Sequence, residues 1–181
     1  MSILVLVGES ASGKSTIEKV LHGRNNMKKV ISYTTRPPRK GEVDGVDYHF
    51  ISQDKFLEMK ENNEFIEIGA YRGWWYGSKK EQYTNNTVAV LTPHGLRCLK
   101  KEMDDIVSFY IKVPRRDRLI KILERGDDVD EAIRRNQNDV GMYDGIEDEV
   151  SYVIWNNGYM KSARAIVGEI LTKFTNINGS I

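Results

Sequence analysis

The residues whose types and spacing could do chemistry come early: Gly8-Glu9-Ser10-Ala11-Ser12-Gly13-Lys14-Ser15-Thr16. The spacing is G-x-x-x-x-G-K-S, a phosphate-binding loop. Small residues let such a loop curl until successive backbone N–H groups aim at one oxyanion. A helix leaving it adds about half a positive charge at its N-terminus. Gly8, Ser10, Ala11, Ser12, Gly13 and Thr16 would form the cradle. Lys14 would reach the β- and γ-phosphates, and Ser15 would offer its hydroxyl to Mg²⁺. The motif predicts a nucleoside triphosphate site and leaves the phosphate acceptor open.

The elements that must position this loop follow from periodicity. Apolar, β-branched runs at 3–7, 30–33, 65–71, 87–91, 106–113 and 152–155 predict strands. Helical patterns fall at about 15–22, 53–61, 95–102, 115–123, 129–142 and 161–174. Alternating strands and helices predict an α/β fold, a mainly parallel sheet covered by helices. Two parts break the rhythm. Residues 34–86 are rich in turns, Tyr and Gly, and predict an inserted subdomain. Residues 124–145 are dense in Arg, Asp and Asn, and predict a mobile helical lid. The core is then 1–33, 87–123 and 146–181 of a single domain. Ala163, Ile166, Val167, Ile170, Leu171 and Phe174 share one apolar helix face and predict core packing. The tail 175–181 is expected to fray.

Composition narrows the classes. The 181 residues carry a net charge of +1, so no overall field draws the chain to nucleic acid or a membrane. No apolar run approaches the roughly 18 residues of a spanning helix. Cys98 is the single cysteine, and with His22, His49 and His94 far apart no metal-ligand spacing exists. The lack of a basic leader before the first strand, together with this cysteine usage, predicts a cytoplasmic protein. A monomer and a homodimer both remain open.

The acceptor is approached first by exclusion. The chain contains neither D-x-x-G nor N-K-x-D, which a GTPase would use. The strand at 88–91 ends in Thr92 and that at 109–111 in Lys112, where motor and helicase ATPases place an acid for Mg²⁺. A small kinase remains, with a donor cradle, an acceptor pocket and converging cations. Arg36 and Arg39 stand three apart, pinned by Pro37 and Pro38, and paired guanidinium forks suit a phosphate dianion. Tyr48 follows within the same segment.

Ser32-x-Thr34-Thr35-Arg36-x-Pro38-Arg39-x-Gly41-Glu42-x-x-Gly45-x-Asp47-Tyr48-x-Phe50 resembles the acceptor-binding signature of the guanylate kinases. So do Asn63-Glu64-Phe65-Ile66-Glu67 and Gly73-Trp74-Trp75-Tyr76-Gly77-Ser78. The resemblance spans about residues 3–157. It implies phosphoryl transfer from ATP, with Mg²⁺, to GMP and with it dGMP, in a three-part architecture that closes on its substrates. It places the GMP phosphate on Arg36, Arg39, Tyr48 and Tyr76, and the guanine on Ser32, Glu67 and Ser78. A carboxylate at Glu67 can accept from both guanine N1–H and the 2-amino group, and adenine offers no such pair. Arg125 matches a lid arginine that would stabilise the transferred phosphoryl group together with Arg134 or Arg135. Asn156 matches a turn near the adenine of ATP.

The chain departs from the family at several places. Val90 and Thr92 stand where the family carries two aspartates, one serving the metal region and one the guanine. Thr92 is kept as a guanine-side residue that can hydrogen-bond but carries no charge. Lys121 and Asn136 stand where the family carries lid arginines. Two other outcomes follow from these departures: a kinase with altered or relaxed base choice, and a guanylate-kinase-like binding module without turnover.

Overall fold

The computed structural model describes residues 2–39, 41–71, 73–126 and 128–178. Its centre is β1 (Ile3–Val7), five apolar residues that are all buried. A strand buried on both faces suits a parallel sheet covered by helices. β1 pairs in parallel with β7 (Thr87–Val90) on one side and β8 (Ile106–Lys112) on the other. β2 (Lys28–Lys29) and β9 (Tyr152–Trp155) complete the order β2-β7-β1-β8-β9. Every pairing in this sheet is parallel.

Helices cover both faces. One face packs Leu4, Leu6, Phe109 and Ile154 against Ile17 and Leu21 of α1 (Lys14–Asn25) and Ile166, Val167, Ile170 and Phe174 of α7 (Ala163–Asn178). The predicted stripe of the last helix is thus the one that is buried. On the other face, Val5, Val7 and Tyr110 meet Leu96 and Leu99 of α3 (Pro93–Glu102) and Ile146 of α6 (Ile146–Glu149).

A second sheet, ordered β4-β3-β6-β5, is built from β3 (Tyr33–Thr34), β4 (His49–Phe50), β5 (Phe65–Tyr71) and β6 (Trp74–Lys79). α2 (Gln53–Glu61) lies against it through Phe56, which is fully buried and stacks on Phe65 with ring centroids 4.6 Å apart. α4 (Arg115–Glu124) and α5 (Val129–Asn138) follow β8.

Several expectations shift. The run at 30–33 is not one strand: the Val30 N–H still donates to Val88 O of the first sheet, but by Tyr33 the chain has crossed to the second. Ser32 O is taken by the His49 N–H at the crossing. β4, β6 and α6 had no strong sequence signal. α5 stops at Asn138 rather than 142, and the chain turns through Gly141 at φ +75°. α7 is helical through Asn178, so the expected fraying does not begin at 175; 179–181 lie outside the described residues.

Candidate active site

The donor loop sits where β1 ends. A Cβ on Gly8 would lie 2.7 Å from Ser12 Oγ and 2.8 Å from Ile111 O, so only glycine lets the loop fold against the sheet. Gly13, at φ +95°, makes the turn into α1. Ala11 holds φ +64° without the freedom of glycine. Two phenols clamp the loop from outside: Tyr143 donates to Gly8 O at 2.8 Å and Tyr159 to Ala11 O at 2.7 Å. Lys14 folds back over the loop, donating to Gly8 O and, at 2.8 Å, to Glu9 O. Burial lowers its pKa to about 8, against the pull of Asp139 and Glu9. A phosphate placed beside this amine would raise its pKa again.

Across a cleft of about 300 Å³ stand the acceptor residues. Gly8, Ser10, Ala11, Lys14 and Ser15 line the donor wall, and Ser32, Arg36, Arg39, Tyr48, Glu67, Tyr76 and Thr92 the acceptor wall. Arg36 is 7% exposed; its Nη2 donates to both carboxylate oxygens of Glu42, at 2.9 and 3.0 Å, and its Nη1 to Pro37 O at 2.7 Å. Its guanidinium lies 5.5 Å from the centre of the Tyr48 ring. Glu42 also accepts from the Arg39 N–H at 2.7 Å, so one carboxylate fixes both arginines. Arg39, at the rim, has its pKa lowered by partial desolvation and then by the neighbouring cations Arg135 and Arg36. Three guanidinium groups converging this way create a site for a dianion. Burial, and then Tyr76, push the Tyr48 phenol up to about 12, so it stays a donor.

Glu67 closes the far end. It is 6% exposed and accepts at 2.7 Å from Ser78 Oγ, which also meets the Tyr83 hydroxyl at 2.6 Å. Burial raises its pKa to about 7 despite the Ser78 hydrogen bonds. A Cβ on Gly95 would approach Glu67 Oε2 to 3.1 Å, so the carboxylate rests on the first turn of α3. Thr92 is the N-cap of that helix, its Oγ1 accepting from the Gly95 N–H at 3.1 Å.

Several other sequence-derived residues fall outside the cleft wall. Ser78 is fully buried behind Glu67. Ser12 is buried under the loop, Gly13 caps α1 and Thr16 lies in its first turn. Asn156 uses its side chain to close a local turn, accepting from the Lys161 N–H at 2.9 Å and donating to Lys161 O at 3.2 Å. Trp75 packs toward Phe56, with rings 6.1 Å apart. Of the 124–145 residues, Arg125 and Arg135 line the cleft. Asn136 points the other way and accepts from Arg115 Nε. The cleft thus has Arg135 on its wall, one residue before Asn136. Lys121 pairs with Glu124 at 3.4 Å on the surface.

Motif reading missed Tyr71, Asp139 and Tyr143, which also line the cleft. They reach the loop through space, across 61 to 135 residues of sequence, and carry no local signal.

Comparisons with known proteins show the family. The family model described as guanylate kinase matches residues 1–173. A guanylate kinase of Prochlorococcus marinus is 30% identical over 178 residues, covering 94% of this chain and 97% of its own. One of Clostridioides difficile is 33% identical over 178 residues, covering 93% and 86%. The crystal structure of guanylate kinase from Anaplasma phagocytophilum shares the fold, with a TM-score of 0.71 and 24% identity over 97% of this chain and 85% of that one. The signatures at the loop, at Arg36 to Phe50 and at Glu67 thus sit within a match that runs nearly end to end, and the chain belongs to the guanylate kinase family.

Proposed function

We propose that this protein catalyses ATP-dependent phosphorylation of GMP to GDP, by direct transfer within the cleft. One observation carries the reading: a single cleft has a triphosphate loop with Lys14 on one wall, and Arg36, Arg39, Tyr48 and Glu67 on the other. The acceptor phosphate already bears the attacking oxygen, so no protein nucleophile or general base is required. The work left to the chain is alignment and charge. Arg36 and Arg39 hold the acceptor phosphate, with Tyr48 and Tyr76 as phenol donors. The ionised Glu67 takes the guanine N1 and 2-amino hydrogens. Lys14, Arg125 and Arg135 face the charge that develops on the moving group.

Magnesium fits the donor set. Among the described residues no group of three or more His, Cys, Asp or Glu is arranged to hold a metal. Ser15 lines the cleft beside Lys14. A hard, strongly hydrated cation that enters with its nucleotide needs only such a hydroxyl and the phosphate oxygens. When bound it would neutralise the donor phosphates. No described helix is long and apolar enough to cross a membrane.

Coupled measurement of ADP formation over a panel of nucleoside monophosphates tests the reading. GMP is expected to be the preferred acceptor, with dGMP accepted. Lys14→Ala is expected to lower turnover by at least about 100-fold. Turnover with AMP but not GMP, or a fully active Lys14 variant, would refute it.

A further inference from the structure

Asp139 lies one residue beyond α5 and is 6% exposed. Its Oδ2 accepts from the Ser10 N–H at 2.8 Å and from Arg118 Nη1 at 3.4 Å. The Tyr71 hydroxyl donates to its Oδ1 at 3.4 Å. Arg118 in turn reaches Glu9 Oε1 at 3.5 Å and Val113 O at 3.1 Å. Ser10 is the third residue of the phosphate loop, and a backbone amide has one proton to give. A carboxylate that takes that proton stands where an anionic oxygen of a ligand would be received. It also repels a triphosphate arriving at Lys14.

Asp139 also separates two spaces. In front is the cleft. Behind it is a second cavity of about 490 Å³, bounded by Glu9, Tyr110, Arg115, Arg118 and Asn136. Asn136 is 3% exposed and lines this rear cavity. Its carbonyl is used by Arg115, but its Nδ2 has no hydrogen-bond partner among the described residues. A buried amide donor without an acceptor is costly and uncommon. Here it lies three residues before Asp139, on the side to which that carboxylate could turn.

We propose that Asp139 is a built-in anion of the donor site. It holds the Ser10 N–H while the loop is empty and yields it to the terminal phosphate of the incoming triphosphate. It then turns into the rear cavity toward Asn136, keeping its pairing with Arg118. Because Asp139 follows directly on the helix that carries Arg135, loading the donor site shifts the base of that helix.

The proposal rests on the phosphate loop being the donor site, and calorimetric titration with tripolyphosphate and with Mg²⁺-free ATP tests both. Asp139→Asn keeps the shape and an acceptor oxygen but removes the charge, and is expected to bind both ligands roughly tenfold more tightly than wild type. Equal or weaker binding by the folded variant overturns the proposal. Backbone hydrogen exchange in wild type gives an independent reading if the variant does not fold. Exchange across 134–145 is expected to rise on tripolyphosphate binding, and an unchanged or slowed rate overturns the proposal. Wild type that phosphorylates GMP yet fails to bind tripolyphosphate also overturns it. Wild type that does neither removes the donor-site reading as well.

Discussion

On the proposed function, Glu67 is the buried carboxylate that meets the edge of the base. Burial moves its pKa from the ordinary 4.5 to about 7. Guanine needs the charged form, because only a carboxylate accepts with both oxygens. Below about pH 7 GMP must first displace a proton, so its KM is expected to rise toward tenfold per pH unit, as steady-state kinetics across pH would show. The stability effect has the opposite sense. Between about pH 4.5 and 7 the unfolded chain is ionised at this residue while the native one is protonated. The native state holds more protons, so stability of the empty protein falls as pH rises through that window and levels off above it. The full shift is worth about 3 kcal/mol. Glu67→Gln removes that cost and is expected to melt above wild type near pH 8, with the gap closing toward about pH 5. The same variant should raise the KM for GMP roughly 10- to 100-fold and flatten its pH profile. A pH-independent wild-type KM would contradict this account.

The element beneath Glu67 is α3, and its start depends on Thr92. Thr92 lines the cleft and its side chain also caps the helix. Thr92→Ala is expected to cost about 1 kcal/mol and lower the melting temperature by roughly 2–4 °C. Thr92→Asp keeps the cap, since aspartate caps as well as threonine, but sets a second carboxylate near Glu67. That raises the Glu67 pKa further, so the pH below which the GMP KM climbs should move upward. An unmoved profile would mean the two side chains do not sense each other. Elements of this kind were unevenly legible in the sequence. The donor loop could be read because its chemistry depends on fixed local spacing, and β1 because both its faces are apolar. β6 could not, since Trp74, Tyr76 and Gly77 read equally as turn and strand, and its partners β3 and β5 decide. The capping role of Thr92 and the burial of Ser78 behind Glu67 are matters of direction, which spacing does not encode.

At the scale of the whole molecule, the proposed transfer brings three segments together: the loop after β1, the arginines that follow β3, and the 124–145 segment. Arg39 already feels Arg135 across the cleft. Arg135→Ala is expected to lower kcat roughly 100- to 1,000-fold while changing the KM for GMP much less. A change confined to KM would move Arg135 to acceptor binding alone. One contact joins the two sheets at the base of the cleft. Glu67 rides on β5 of the second sheet, yet its carboxylate rests on Gly95 at the start of a helix that belongs to the first. The base pocket is therefore a joint, and a purine that does not fit it acts as a wedge. A wrong base would hold the two halves apart as well as bind weakly, so misrecognition would appear as an idle catalyst, with the penalty in turnover at saturating acceptor and not in affinity alone.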